Sequence, residues 1–169
     1  MPVLFVNYRV QEQPGYATLL HRELAQQFGA NSVFLASRSI HAGDDFVHEV
    51  FDSLRRSAAL IAVIGPRWQE FHGAGPFDWV HREIAEAFKL DIRVIPVLIE
   101  DAELPAADAL PDDIVALSSC QYVRLRHYSI DADLAQLAYE LRRTLPALRE
   151  QHGDSVAEGK PTVFRSANE

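Results

Sequence analysis

The sequence predicts an α/β fold: an open, doubly wound sheet of five parallel strands in the order 2-1-3-4-5, with helices on both faces. Three observations predict it. Residues 3–6, 33–35, 58–64 and 94–99 are short, nearly continuous apolar runs, the character of strands buried on both sides. They alternate with stretches whose apolar residues recur at helical spacing. The chain has 169 residues, 48% hydrophobic and 24% charged, which suits one globular core.

Each element follows in order. After the first strand, residues 15–28 form a helix with Ala17, Leu20, Leu24 and Phe28 on one face, stopped by Gly29-Ala30-Asn31. The second strand leads into a polar loop, 37–44, carrying Gly43. Asp44 or Asp45 caps the next helix, where Phe46, Val50, Phe51 and Leu54 face inward. Residues 58–64 are the strongest strand, ended by Gly65-Pro66. A loop with Gly73, Gly75 and Pro76 precedes Asp78, which caps a helix reaching about Leu90. In the fourth strand Pro96 lacks a ladder donor and marks an end or a local irregularity. Residues 100–117 are proline-interrupted, with at most a short helix after Pro111, and 121–125 read as an edge strand. Asp131 or Asp133 opens the last helix, with Leu134, Leu137, Leu141 and Leu145 inward. The expected domain is 1–149. Residues 150–169 turn polar and aperiodic, as in a flexible tail or a linker to a further domain.

Composition excludes several classes of function. A net charge of −8 and a pI near 5.3 argue against nonspecific nucleic-acid binding. No apolar run approaches the roughly 18 residues of a membrane span, and no signal peptide is legible, so no membrane partner is expected. The single cysteine, Cys120, excludes an internal disulfide framework and fits a cytoplasmic location. A sheet of this order binds ligands where the carboxyl ends of strands one and three meet, rimmed here by residues 7–14, 37–44 and 65–78. That crevice carries no dinucleotide glycine fingerprint and no phosphate-loop motif. Asn7-Tyr8-Arg9 and Gly65-Pro66 stand where a phosphoreceiver needs acids. The seven histidines show no ligand spacing, so no metal centre is expected.

The segment with chemical content is 77–87. On a helix, Val80, Ile84 and Ala87 face the core, while Trp79 and Glu83, four apart, share another face. Glu83 has no opposite charge at the helical pairing positions: Trp79 and Ala87 lie four away, Val80 and Glu86 three away. Spacing alone leaves Glu83 as either a solvated helix carboxylate or a functional one, and Trp79 as either a core anchor or a ligand surface.

Five elements in order raise the functional reading. Phe5-Val6-Asn7-Tyr8-Arg9, the loop Ser39-Ile40-His41-Ala42-Gly43-Asp44-Asp45-Phe46, Val63-Ile64-Gly65-Pro66-Arg67-Trp68, Asp78-Trp79-Val80-His81-Arg82-Glu83-Ile84 and Ile95-Pro96-Val97-Leu98 resemble the successive boxes of the TIR (Toll/interleukin-1 receptor) domain family, particularly its bacterial NAD-cleaving branch. Asn7 stands where the family usually has serine, and Ala42 where it usually has proline. The resemblance implies a flavodoxin-like fold and cleavage of the nicotinamide–ribose bond of NAD by a glycohydrolase or an ADP-ribosyl cyclase, with NAD as substrate and no cofactor. It implies that Glu83 is catalytic and that Tyr8, Arg9, Phe46 and Trp79 line the dinucleotide site, with Arg9 a pyrophosphate partner in competition with Arg38 and Arg67. It makes Arg38, Ser39, Ile40, Gly43 and Asp44 of the BB loop a surface for self-association, and it implies a role in bacterial immune defence beside a sensor protein or further domain.

One carboxylate suffices for this chemistry. Nicotinamide departs neutral from a cationic pyridinium and needs no general acid, unlike an ordinary sugar leaving group. An anionic Glu83 would stabilise the oxocarbenium ion on the ribose. As a crevice carboxylate, its exchange for glutamine is expected to change stability by less than about 1 kcal/mol. The alternative is a non-catalytic TIR–TIR interaction module. A nucleoside deoxyribosyltransferase-like enzyme is disfavoured by the BB-loop and Gly65-Pro66 elements.

Overall fold

The first strand, β1 (Leu4–Asn7), alternates its side chains across the sheet, and that alternation organises the molecule. In the computed structural model, which describes residues 3–36, 42–73 and 77–150, Leu4 and Val6 enter one apolar layer and Phe5 the other. β1 pairs in parallel with β2 (Val33–Phe34) on one side and β3 (Ala59–Ile64) on the other; β4 (Arg93–Ile99) and β5 (Val123–Leu125) follow. The order is β2-β1-β3-β4-β5, as the sequence predicts.

Helices α1 (Pro14–Phe28) and α4 (Ile130–Thr144) close the layer holding Leu4 and Val6. Helices α2 (Phe46–Arg56) and α3 (Trp79–Lys89) cover the Phe5 side. Asp45, not Asp44, caps α2, accepting from the His48 N–H at 3.1 Å. The last long helix starts earlier than either expected aspartate. Ser129 holds its N-cap position, and Asp133 accepts from Ser129 Oγ and the Arg126 N–H. Residues Asp112–Ser119 form a 3₁₀ segment rather than a short α-helix; its buried Ile114 and Leu117 are three apart, the repeat of that helix.

The fifth strand is shorter than expected because β4 offers partners only at Val97–Ile99. This also accommodates Pro96. It pairs with Ala62 of β3 but lies before the β5 ladder begins, so β4 is still an edge on that flank. Beyond α4, a short helix α5 (Ala147–Glu150) adds the fully buried Leu148 to the core. At the crevice rim the Glu12 side chain lies against Gly65 where a Cβ would sit, and Glu12 Oε1 accepts from the Arg67 N–H at 2.7 Å. A side chain at Gly65 would push the Glu12 carboxylate away from the Arg67 N–H it accepts from.

Candidate active site

Asn7 is two residues beyond Phe5, so the strand alternation turns it toward α3. On α3, Val80, Ile84 and Ala87 are buried, and Glu83 sits three from Val80 and four from Ala87. It therefore belongs to the sheet-facing stripe and is 8% exposed. The expectation that Glu83 lies with Trp79 on a face other than the core face is corrected accordingly. The two meet at the sheet: Asn7 Nδ2 donates to Glu83 Oε2 at 2.7 Å and to the Val80 carbonyl at 3.2 Å. Burial pushes the Glu83 carboxyl up to about 8, helped by the Asp78 charge and opposed by the Asn7 hydrogen bond. At neutral pH the resting protein thus holds Glu83 largely protonated, not anionic as the sequence reading assumed.

Tyr8, Arg9, Phe77, Asp78, Trp79 and Val80 are among the walls of a cleft of about 210 Å³ at the carboxyl end of β1. Tyr8, Arg9 and Trp79 are thus brought together as expected. Phe46 is not a wall of this cleft, but it meets Trp79 edge-on at 5.6 Å from the α2 side. Phe77 stacks on the same indole at 6.3 Å, and the Arg82 guanidinium lies 5.2 Å from it. Trp79 is neither a core anchor nor an isolated surface residue: it is the centre of a half-open aromatic cluster. Glu83 is one turn further along α3 and is not a wall of this cleft; it reaches it through its neighbours, Asn7 bonding both Glu83 and the carbonyl of the wall residue Val80. Gly43 and Asp44 are exposed before α2; Arg38, Ser39 and Ile40 lie outside the described residues.

Arg9 is already engaged within the protein. It is 4% exposed, makes two bonds to Asp78 at 2.9 and 3.1 Å, and lies 4.8 Å over the Trp68 ring. A pyrophosphate would have to compete with this bidentate pair for the guanidinium. Arg67 is bound to Glu70 at 2.8 Å. Asp78 also caps α3, accepting from the His81 N–H, and from Gly73. Burial works to raise its carboxyl, but Arg9 and the two N–H donors outweigh it and hold it low. Asp78→Asn keeps a capping oxygen but leaves Arg9 a buried charge without a counter-ion. We expect a loss of about 2 kcal/mol, near 5 °C in Tm; a drop under 1 °C in thermal unfolding would show that the pair contributes nothing.

The structure also gathers His72, Asp78 and His81, whose ligand atoms lie within 4.8 Å of one another, a juxtaposition the sequence spacing did not reveal. The donor set does not suit a cation. All four acceptor positions of Asp78 are taken, two by a guanidinium, and His81 Nε2 is bonded to Asp113 at 2.7 Å. Burial also lowers the His72 imidazole, with Asp78 opposing. We assign the cluster to holding the start of α3.

Asn7 is the residue the sequence reading passed over, noting it only as a replacement for serine. Two signals could have found it: the period of two from Phe5, and the 80-83-84-87 stripe that buries a carboxylate opposite it.

An open five-stranded parallel sheet in this order, with helices on both faces, is the frame of a TIR-type α/β domain. The TIR domain family model matches residues 4–138, and the chain belongs to that family. It is similar to the NAD(+) hydrolase sarm1 of Drosophila melanogaster, 28% identical over 141 residues, covering 82% of this chain and 10% of that protein. It is also similar to the NAD(+) hydrolase tir-1 of Caenorhabditis elegans, 26% identical over 154 residues, covering 87% and 15%. The chain therefore spans only a small part of these animal relatives, and neither points to the bacterial branch in particular. Among solved structures, the TIR domain of the Toll-related receptor TRR-2 from Hydra magnipapillata shares the fold, with a TM-score of 0.54 at 17% identity over 88% of this chain and 99% of that one. Among the described residues, no helix is long and apolar enough to cross a membrane.

Proposed function

We propose that this domain is an NAD nucleosidase that cleaves the nicotinamide–ribose bond, acting as a cytoplasmic effector in bacterial immune defence. The observation that carries the reading is Glu83: a buried carboxyl without a cationic partner among the described residues, held by Asn7, whose amide also bonds the carbonyl of Val80 in the wall of the Tyr8–Trp79 cleft. Such a group is costly to fold around, and perturbed carboxyls of this kind concentrate where chemistry is done. The names of the two animal relatives support the same reaction.

In this mechanism the cationic nicotinamide ring enters the cleft against Trp79 and Phe77, whose faces favour a planar cation. Its positive charge favours the ionised form of Glu83, so the substrate itself helps create the anion it needs. The carboxylate then stabilises positive charge on the ribose as the neutral leaving group departs, and water adds to the ribose carbon and releases a proton to give ADP-ribose. NAD is the substrate, and no cofactor is required by these steps. Phe46, on the far side of Trp79, fixes the indole plane for the ring it receives.

The burial of Glu83 also fits a second reading. As a neutral strut between β1 and α3 it would serve a non-catalytic interaction module. Incubation of purified protein with NAD, with products resolved by chromatography, separates the two.

We also propose that activity depends on self-association through the 37–44 loop. Gly43 has φ +97°, a conformation proline cannot adopt. Gly43→Pro, or Arg38→Glu, should lower activity several-fold without unfolding the domain. Specific activity should rise with enzyme concentration; strict proportionality from nanomolar to high micromolar would instead mark a self-contained monomer.

The domain boundary at 149 is likewise a proposal. It is supported by Leu148, which is fully buried, and by Arg149, which donates to the Arg142 and Arg143 carbonyls at 2.6 Å. Removing residues 150–169 is expected to shift Tm by no more than a few degrees. A fall of roughly 10 °C, equivalent to well over 1 kcal/mol at this size, would place that segment in the folded unit.

A further inference from the structure

We propose that Asn7 is a positioning residue for this reaction: its carboxamide fixes one oxygen of Glu83 and supplies the hydrogen bond that favours the charged form of that carboxyl. The inference rests on the nucleosidase reading and extends it to a residue outside the cleft.

The geometry is specific. The Asn7 amide faces two acceptors, Glu83 Oε2 at 2.7 Å and the Val80 carbonyl at 3.2 Å, so its NH₂ side must point toward α3. Its own Oδ1 is buried without a protein partner, so the donor side alone sets its orientation. Asn7 is 1% exposed at the end of a central strand, and the Val80 carbonyl belongs to the first turn of α3. The bond therefore joins two rigid elements and fixes where the Glu83 oxygen stands relative to the cleft. A serine at this position is one bond shorter and cannot span the same gap. The replacement of serine by asparagine thus couples β1 directly to the proposed catalytic group.

Little else near Glu83 favours its charge. Arg9 on the β1 side is bound to Asp78, and Arg55 of α2 faces Glu86 at 3.9 Å. On α3 itself Arg82 lies over the Phe51, Phe77 and Trp79 rings, and His81 is bonded to Asp113 of the 3₁₀ segment. Arg93 is on β4, and Asp112 lies beside Asp113. Asp78 is the charge whose field registers at Glu83, and it disfavours ionisation. Asn7 is the group that works the other way.

The test compares wild type, Asn7→Ser and Asn7→Asp as full chains. Carboxyl-carbon NMR follows the Glu83 titration, with its signal identified by its loss in Glu83→Gln, and the pH profile of NAD turnover is measured alongside. In Asn7→Ser the Glu83 midpoint should rise by about one unit, the worth of a hydrogen bond to a charged group. The isosteric Asn7→Asp, which replaces the donor with a second acid, should raise it further. The kcat/KM for NAD at pH 7 should fall roughly tenfold in Asn7→Ser and return to within about threefold of wild type by pH 9.5; a loss that persists at every pH would mark a merely structural role and overturn the proposal. A midpoint that does not move in Asn7→Ser, or in Asn7→Asp should the serine variant not fold, overturns it too. A wild type that consumes no NAD while the midpoint still moves would defeat the nucleosidase reading and, with it, the role in the reaction. A still midpoint beside an active wild type defeats only the role of Asn7.

Discussion

Glu83→Gln is expected to abolish NAD cleavage while leaving the domain folded. Glutamine keeps the volume of the side chain and an oxygen to accept from Asn7 Nδ2, which now bonds Glu83 at 2.7 Å. Only the capacity for charge is lost, so the variant tests electrostatic stabilisation rather than packing. One such interaction lost from the transition state costs on the order of 3–5 kcal/mol, roughly 10²–10⁴ in rate. Glu86→Gln is the control: Glu86 lies three residues on, half-buried and facing Arg55 at 3.9 Å, and its exchange should retain most activity. Near wild-type turnover by Glu83→Gln would remove Glu83 from the mechanism and favour the interaction-module reading.

The second large effect is a pH dependence of stability that the same variant should erase. The Glu83 carboxyl is raised in the fold from 4.5 to about 8. Below the unfolded value both states are protonated, and the fold carries no penalty from this group. As pH rises above it the unfolded chain ionises while the folded chain stays protonated, so the unfolded state binds fewer protons and stability falls. The fall continues until the folded group ionises near pH 8. At about 1.4 kcal/mol per pH unit, the whole loss is a few kcal/mol. Asp78, held low, contributes in the opposite sense on the acid side, and His72 likewise favours the fold once neutral. Subtracting the Tm of wild type from that of Glu83→Gln isolates the one carboxyl. That difference should grow by at least about 5 °C between pH 5 and pH 8.5. The sequence-based expectation of less than about 1 kcal/mol assumed an open crevice carboxylate and does not hold for a buried one; a pH-independent difference would restore it. In kinetics, kcat/KM should climb toward pH 8, whereas kcat should climb at lower pH, because the bound pyridinium lowers the same group.

The sheet order was legible because apolar strands and helical patterns alternate along the chain, and right-handed crossovers leave few ways to arrange them. Strand ends were less so. β5 stops at three residues because of what β4 presents to it, a tertiary fact with no local signal. The site divides along the same line. Tyr8 and Trp79 were found because they stand in recognisable boxes, and their meeting at one cleft follows from the sheet order. The state of Glu83 was missed because its partner is 76 residues away, and because a helix stripe was read as 80, 84 and 87 without its fourth member. The ion pair of Arg9 was hidden for a related reason. A charged residue at a crevice rim reads as a ligand contact until the Asp78 opposite it is placed.

The two outer strands of the sheet carry a consequence for how copies of this chain meet. Among the described residues β2 has two residues and β5 three, and the bare stretch of β4 beside β5 carries Arg93 and Pro96, a charge and a missing donor that blunt it. These edges discourage a neighbouring molecule from extending the ladder, which guards against runaway fibre growth in a chain whose interior strands are strongly apolar. An ordered array built from this domain is then expected to be stitched through side chains on its loops and helices, and a surface substitution should be able to dissolve the array while leaving each unit whole.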